Sequence, residues 1–550
     1  MRIEPGSAFL AGRQPDVARH ERPVSKSTVR FLIVGPVAFT LAVAVMVSGG
    51  CATAGRQRAE QQGLLRADEL VLQGCLACLT EARDLYLQAV IRGRTPAVVQ
   101  RLFEAELLIG LREKELALDW TAAFVRARDL SAKLPPALAA DRYLRLADAV
   151  LPDEVGTPRR ERDGLLAARG LRPEKLREEL TWLETGLLSG VVRRYLALAL
   201  ECTYGGISRS RQSPAGPPAP QQADLPGLLL YRTAVCRPTT SGSLDRLRAD
   251  VPRFAEAALF QGRVALQAVQ EDGGIKARGF LQEAYAAFPL SPAATYLNGS
   301  LNQFAGDCRA ALRFYDETLA GKSSHEDALL GRTACLSALK EFDAAIAVAT
   351  RLIDMRAYNQ ADAFYWRAWN HHQRVDLSLA RADVNRAKAV RYNSPVLTLA
   401  GMIEHDQDDL FPAETDLAAA KDLDESNCTA RWYLALVALK REAWGQAGSH
   451  FASAMECYTA NAADAERRMH AMAAREDVDP QWRATQLAGF EATIKDDRSQ
   501  ESASAYNAAV NFLRTGDRVN AASYADLAAR DPQRRSKVEE IRKLLIPSSR

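Results

Sequence analysis

The twenty residues AWNHHQRVDLSLARADVNRA, Ala368 to Ala387, decide how this chain is read. Ala368, Ala380 and Ala387 stand twelve and then seven residues apart, and the next segment, GMIEHDQDDLFPAETDLAAA, repeats that spacing with Gly401, Ala413 and Ala420. Ala435, Ala447 and Ala454 follow, then Ala509, Ala521 and Ala528 after a gap. Gly299, Ala311 and Thr318 fit more loosely, as do Thr333, Ala345 and Leu352. The anchors Gly299, Thr333, Ala368, Gly401 and Ala435 lie 34, 35, 33 and 34 residues apart, a regularity that belongs to a helical array rather than to an ordinary core. Where two antiparallel helices cross closely, only a small side chain fits. A twelve-residue offset therefore pairs a small residue in one helix with a small one in the next.

At these residues the chain resembles the tetratricopeptide repeat family, helped by the turn elements Gly306-Asp307, Gly516-Asp517 and Asp531-Pro532. The resemblance covers about half the chain, Phe254 to Asp531, and includes a degenerate first unit running through Gly262, Ala277 and Ala284 to Pro289. Asn298 stands where the family places a large residue, and closing prolines are mostly missing. The resemblance implies an all-α fold, a right-handed solenoid of helix hairpins.

Composition sets wider bounds. With 550 residues there is room for two or three domains, and 47% apolar with 25% charged residues is ordinary for a folded protein. A net charge of +3 without a basic run gives no footprint for nucleic acid, so none is expected as partner.

At the amino terminus, a polar leader (1–30) precedes a 17-residue apolar run, Phe31 to Val47, flanked by Lys26 and Arg30 in the layout of a secretory signal. The run closes in Val47-Ser48-Gly49-Gly50-Cys51-Ala52, which resembles the lipid-attachment box of bacterial lipoproteins, with Ser48 where that family prefers Leu. This makes 31–51 the signal segment and Cys51 the lipidated residue. Cleavage after Ala52-Thr53-Ala54 and retention as an uncleaved membrane anchor are the other two readings. All three place the remainder outside the cytoplasm. The expected location is the bacterial cell envelope, as a periplasm-facing outer-membrane lipoprotein, with soluble periplasmic or inner-membrane-anchored forms as alternatives.

Eight cysteines remain beyond Cys51, an even number that invites disulfides in an exported chain. Repeat geometry brings Cys428 near Cys457 and Cys308 near Cys335, and Cys202 and Cys236 flank a Pro-rich loop; these are the three expected pairs. Cys75-Leu-Ala-Cys78 lacks the strand of a redox motif and reads as small residues packing in a helix pair.

Residues 64–204 read as an all-helical domain, with Leu64 to Ile91 periodic, a helix from Pro96 to about Leu118, and another from Pro173 to near Cys202. Its acidic residues Glu104, Glu106, Glu113 and Glu115 look like solvated helix faces. Ser213 to Pro220 marks a linker, 205–227, with a domain boundary near Gly216. The array then spans 228–460, a helical insertion 461–500, and a last unit with a polar-faced capping helix 501–550.

No catalytic motif, phosphate loop or metal-ligand spacing is present, so no cofactor is expected, and Asp406, Asp408 and Asp409 read as a solvated turn. Overlaying the units instead places Tyr365, Trp369, His372, Met402, His405 and Trp432 at positions that face the concave groove in the family. Such a patch suits a protein or peptide partner, with an even alternative that the rings seal helix contacts. The expected function is therefore a non-enzymatic interaction scaffold attached to the membrane by a lipid or signal anchor. The alternative is an envelope enzyme whose catalytic part is the amino-terminal helical region.

Overall fold

The computed structural model describes residues 48–93, 95–116, 118–150, 173–204, 225–236, 241–266, 274–356 and 360–545, all-α with no strand among them. The apolar run 31–47, expected as a signal, and most of the linker 205–227 lie outside the described residues, as does the side chain of Cys51. Two compact units emerge, one ending at Ala257 and the other running from Ala258 to Arg550.

The first unit contains α1 (Ser48–Gln73), α2 (Leu76–Arg92), α3 (Pro96–Glu115), α4 (Thr121–Ser131), α5 (Ala140–Ala149), α6 (Pro173–Thr185), α7 (Gly190–Tyr204), α8 (Gly227–Cys236), α9 (Ser241–Asp250) and the start of α10 (Ala255–Ala265). The expected periodic stretch 64–91 is two helices: Gly74 adopts φ 76°, and Cys75 caps α2, its sulfur accepting from the Cys78 amide. Cys75 and Cys78 are disulfide-bonded rather than merely packed, at the helix end where a three-residue bridge can close. The expected helix from Pro173 to Cys202 is likewise split, because the chain turns at Gly186, whose backbone abuts the Tyr143 hydroxyl and leaves no room for a side chain.

Helix α3 is the centre of this unit, with fourteen of its twenty residues buried. Its acidic residues are not solvated faces. Glu104 accepts from the Ser189 amide (3.0 Å), Glu106 pairs with Arg126 (2.8 Å), and Glu115 takes hydrogen bonds from Arg232 (2.6 Å) and Tyr195 (2.7 Å). Arg112, wholly buried, pairs with Glu115 and with Glu256 (2.9 Å), and its guanidinium lies 3.9 Å from the Tyr231 ring centre. Tyr231, Arg232 and Glu256 all come from beyond the linker, so the helices after residue 227 complete this unit. The boundary therefore falls at Ala257, not near Gly216.

The second unit opens with α11 (Ile275–Ala287) and continues as antiparallel pairs. These are α12 (Pro292–Phe304) with α13 (Cys308–Gly321), α14 (Glu326–Ala338) with α15 (Phe342–Asp354), and α16 (Gln360–Gln373) with α17 (Leu377–Val390). There follow α18 (Ser394–Asp406) with α19 (Leu410–Leu423), α20 (Cys428–Lys440) with α21 (Trp444–Ala473), and α22 (Pro480–Arg514) with α23 (Arg518–Ala528). Helix α24 (Arg535–Leu545) closes the array by burying Val538 and Ile541 against Tyr506, Val510 and Ala525. Ala368, Ala380, Ala387, Ala413, Ala420, Ala435, Ala447, Ala454, Ala509, Ala521 and Ala528 have no accessible surface. A Cβ on Gly299 would stand 2.6 Å from the Tyr315 ring, and one on Gly401 2.4 Å from Leu417. These crossings admit nothing larger.

Left-handed residues mark the same register independently. Gly306, Lys340, Val375, Asp408 and Glu442 all have positive φ and lie 34, 35, 33 and 34 residues apart, each between the helices of one pair. In these turns the following amide reaches the carbonyl five residues back, as from Asp376 to His371 and Asp409 to Glu404, both 2.9 Å. Ion pairs then stitch neighbouring hairpins, Arg381 to Asp409 (2.6 Å) and Lys388 to Asp416 (2.5 Å), while Arg391 to Asp362 ties the two helices of one pair.

The expected insertion 461–500 is no interruption. Helices α21 and α22 simply continue past the repeat length and form one long hairpin. Cys428 and Cys457 are disulfide-bonded, joining α20 to α21. Cys202 is also disulfide-bonded, while the side chain of Cys236 lies outside the described residues. Cys308 and Cys335 correct the third expected pair. They meet across α13 and α14 in a thiol–thiol hydrogen bond but are not joined, and Cys335 is a core residue beside Ala311, Tyr315 and Ala328.

Val375 is the costly member of the turn series, since a β-branched side chain clashes with its own backbone at φ 64°. Its side chain is exposed, so little packing would be lost on removal. Val375→Gly should raise unfolding free energy by about 1 kcal/mol, read as a higher denaturation midpoint.

Candidate functional site

The six expected groove residues do not form one open patch. Tyr365 and Trp369 project from α16 and pack, half-buried, against a cluster that joins Ala380, Val384 and Ala387 of α17 to Val396, Leu399, Ala400 and Ile403 of α18 in the next hairpin. Met402 is buried within α18. Trp432 is buried too, its ring edge-on to Phe451 at 5.0 Å in a cluster with the Cys428–Cys457 bridge. These rings thus serve helix packing, Tyr365 and Trp369 in a cluster that includes the next hairpin and Trp432 against the second helix of its own pair.

What the structure does bring together is a polar knot at the ends of α16 and α18. His372 Nε2 lies 2.8 Å from one carboxylate oxygen of Asp406, and His405 Nδ1 lies 2.9 Å from the other. The Trp369 ring stands 6.5 Å from His372, and Tyr433 meets His405 edge-on at 5.6 Å. Lys440 donates to the His405 carbonyl (2.6 Å) and to Asp408 (2.6 Å). Burial works to raise the Asp406 carboxyl, yet the hydrogen bonds from His372 and His405, with their charge, hold it well below the usual carboxylate range. Asp406, Asp408 and Asp409 are therefore committed to partners, namely the two imidazoles, Lys440 and Arg381. The sequence places both histidines here, but its reading of Asp406 as part of a solvated turn is corrected by the two imidazoles that engage it. Its signal was available, since Asp406 directly follows His405, which lies one repeat of 33 residues beyond His372.

Beside this knot, Glu404 is buried with one carboxylate oxygen unpartnered. Burial pushes it up to about 7; Asp416 adds to the rise, and Lys388 and Arg381 oppose it. Hydrogen bonds and ion pairs of this kind hold hairpins in register, and none presents a nucleophile beside a base. Among the described residues no group of three or more His, Cys, Asp and Glu is placed to hold a metal ion.

The amino-terminal unit offers the carboxylates for the enzymatic alternative. Burial raises Glu113 to about 7, with Arg126 opposing and Glu106 adding. Glu104, Glu106 and Glu115, however, are engaged by the amide and cations described above.

No family model matches the chain, and no curated protein matches it. Several solved structures are similar. YrrB, described as a TPR protein with an unusual peptide-binding site, shares 18% identity over 32% of this chain and 91% of its own, with a TM-score of 0.27. A tetratricopeptide repeat protein from Parabacteroides merdae shares 13% over 46% of this chain and 98% of its own, with a TM-score of 0.28. The Cut9–Hcn1 hetero-tetramer of the APC/C matches 88% of this chain and 96% of its own at 10% identity and a TM-score of 0.42. The scores are low, and the array rests on its own packing.

The raised Glu404 carboxyl gives a signed pH dependence. A carboxyl that is harder to ionise when folded contributes stability that is fully present below its unfolded value of about 4.3 and is lost as pH rises through about 7. Glu404→Gln should therefore be more stable relative to wild type at pH 8 than at pH 4.5, measured as denaturation midpoints at both.

Proposed function

We propose that this protein is a non-enzymatic interaction scaffold, exported and lipid-anchored through Cys51 in the bacterial cell envelope, whose array captures a protein or peptide partner. The observation that carries the binding reading is where apolar side chains are left in water. Of fifteen large hydrophobic residues exposed among the described ones, six fall between 375 and 423: Val375, Leu379, Val390, Tyr392, Phe411 and Leu423. Val390 and Leu423 occupy equivalent positions, the last residues of α17 and α19. Scattered apolar residues are normal on any surface, but Val390, Tyr392 and Leu423 gather at the ends of the second helices of two successive hairpins, an apolar edge on that side of the array.

That edge, rather than the buried rings, is the surface to test. Trp432→Ala would cost about 3–5 kcal/mol of core packing and confuse binding with folding. Tyr392 and Leu423, 61% and 54% exposed, can be replaced without that penalty. Crosslinking of the envelope-resident protein followed by mass spectrometry should recover a specific partner, and Tyr392→Ser/Leu423→Ser should lose it while keeping the wild-type denaturation midpoint. Recovery of the same partner by the variant would reject this edge as the binding surface.

The anchor is tested separately. Cys51→Ala should lose fatty-acid labelling and move from the membrane to the soluble fraction; unlabelled wild type that stays in the membrane would point to an uncleaved anchor instead.

A further inference from the structure

The long α21–α22 hairpin does more than end the array. Repeat-length helices would stop near residue 456 and begin near 502, yet α21 runs to Ala473 and α22 starts at Pro480. The extra stretch of α22, residues 480–500, is ~30 Å of helix at 1.5 Å per residue. Its tip is ordered from within: Asp479 caps α22 by accepting from the Trp482 amide (2.8 Å), and Arg483 donates to the Arg475 carbonyl (2.6 Å).

This tip touches the opposite end of the array. Arg278, on α11, makes an ion pair with Asp479 (2.8 Å), and its guanidinium lies 5.4 Å from the centre of the Trp482 ring. Farther along, the hairpin passes the end of α12 at Gly489, where an added Cβ would stand 3.9 Å from the Ala305 carbonyl oxygen. Helices α12 to α21 separate these partners in sequence. Trp482 and Val478 are buried at the tip.

We propose that residues 461–500 form a strap whose tip clasps Arg278, so that the array is closed on itself and opens when the clasp is released. The surface around Arg278 recognises a particular chemistry: a helix start capped by a carboxylate, with an indole ring three residues on. Asp479-Pro-Gln-Trp482 supplies it from within the chain. The clasp is built for release. An ion pair and a cation–π contact, both of modest strength at partly exposed sites, tie Arg278 to the tip, and the strap carries a buried amide, Gln486, whose nitrogen has no partner. By contrast, the hairpin root is fixed by the Cys428–Cys457 bridge and the Phe451 cluster.

The test uses the full chain with Arg278→Ala, Trp482→Ala and the milder Arg278→Lys, read by amide hydrogen exchange and small-angle scattering. The Ala variants should raise exchange across 466–492 by about tenfold and enlarge the radius of gyration, while 292–440 keeps its protection and the Lys variant falls between. Wild type in 1 M salt should shift in the same direction. Unchanged exchange and size in both Ala variants would overturn the strap, because the hairpin would then be held by its own packing. Loss of protection throughout the array would overturn it equally, since the tip would then be a core element and not a clasp.

Discussion

Close approach of helix backbones at Gly and Ala is the constraint on which the array depends. Ala368 against Ala380, or Gly401 against Ala413, lets two helices come near enough that Leu417 and Tyr315 fill what remains. Once that distance is set, the connecting turn has few solutions, and the chain takes the left-handed cap at Gly306, Lys340, Val375, Asp408 and Glu442. The approach also brings charged residues of adjacent hairpins within reach, which is why Arg381 and Lys388, seven residues apart, both pair 28 residues ahead. Small residues, turns and ion pairs thus repeat with one period because the first dictates the other two.

The amino-terminal unit solves the same packing problem differently. Its central helix buries charge: Arg112 sits between two carboxylates and an aromatic ring, and Lys114 donates to the Ala147 and Asp148 carbonyls. Burying such groups costs as much as their pairing returns, while losing one partner strands the other. What the arrangement supplies is uniqueness. Segments beyond residue 227 can complete α3 in one way, with Arg232 on Glu115 and Glu256 on Arg112.

These two solutions differ in how far they can be read in advance. Small residues at a fixed period are legible because the constraint and its signal are the same residues, and the register, the capping helix and the Cys428–Cys457 bridge all follow from it. Glu104, Glu106 and Glu115 were misread because helical spacing of acidic residues looks the same whether water or a distant Arg lies opposite, and here the partners come from Arg126, Ser189 and Arg232. The groove rings were hard to place for a related reason: position on a helix tells which face a residue occupies, not which neighbouring helix covers it. Trp432 is covered by Phe451. The strap was hidden because two helices with a Pro-marked start between them look alike whether they break the array or extend it.

Rigidity and exposed apolar surface coincide in this molecule. The hairpins between 360 and 423 are joined by pairs that engage Arg381, Lys388, Asp406, Asp409 and Asp416, and the same hairpins leave Val390, Tyr392, Phe411 and Leu423 in water. Exposed apolar groups on a mobile element would lose much of their binding free energy to ordering, whereas groups on a stiff one lose little. Ion pairs at the surface contribute little to overall stability. Their physical value here is to fix the angle between successive hairpins, and with it the spacing of the apolar side chains that those hairpins display.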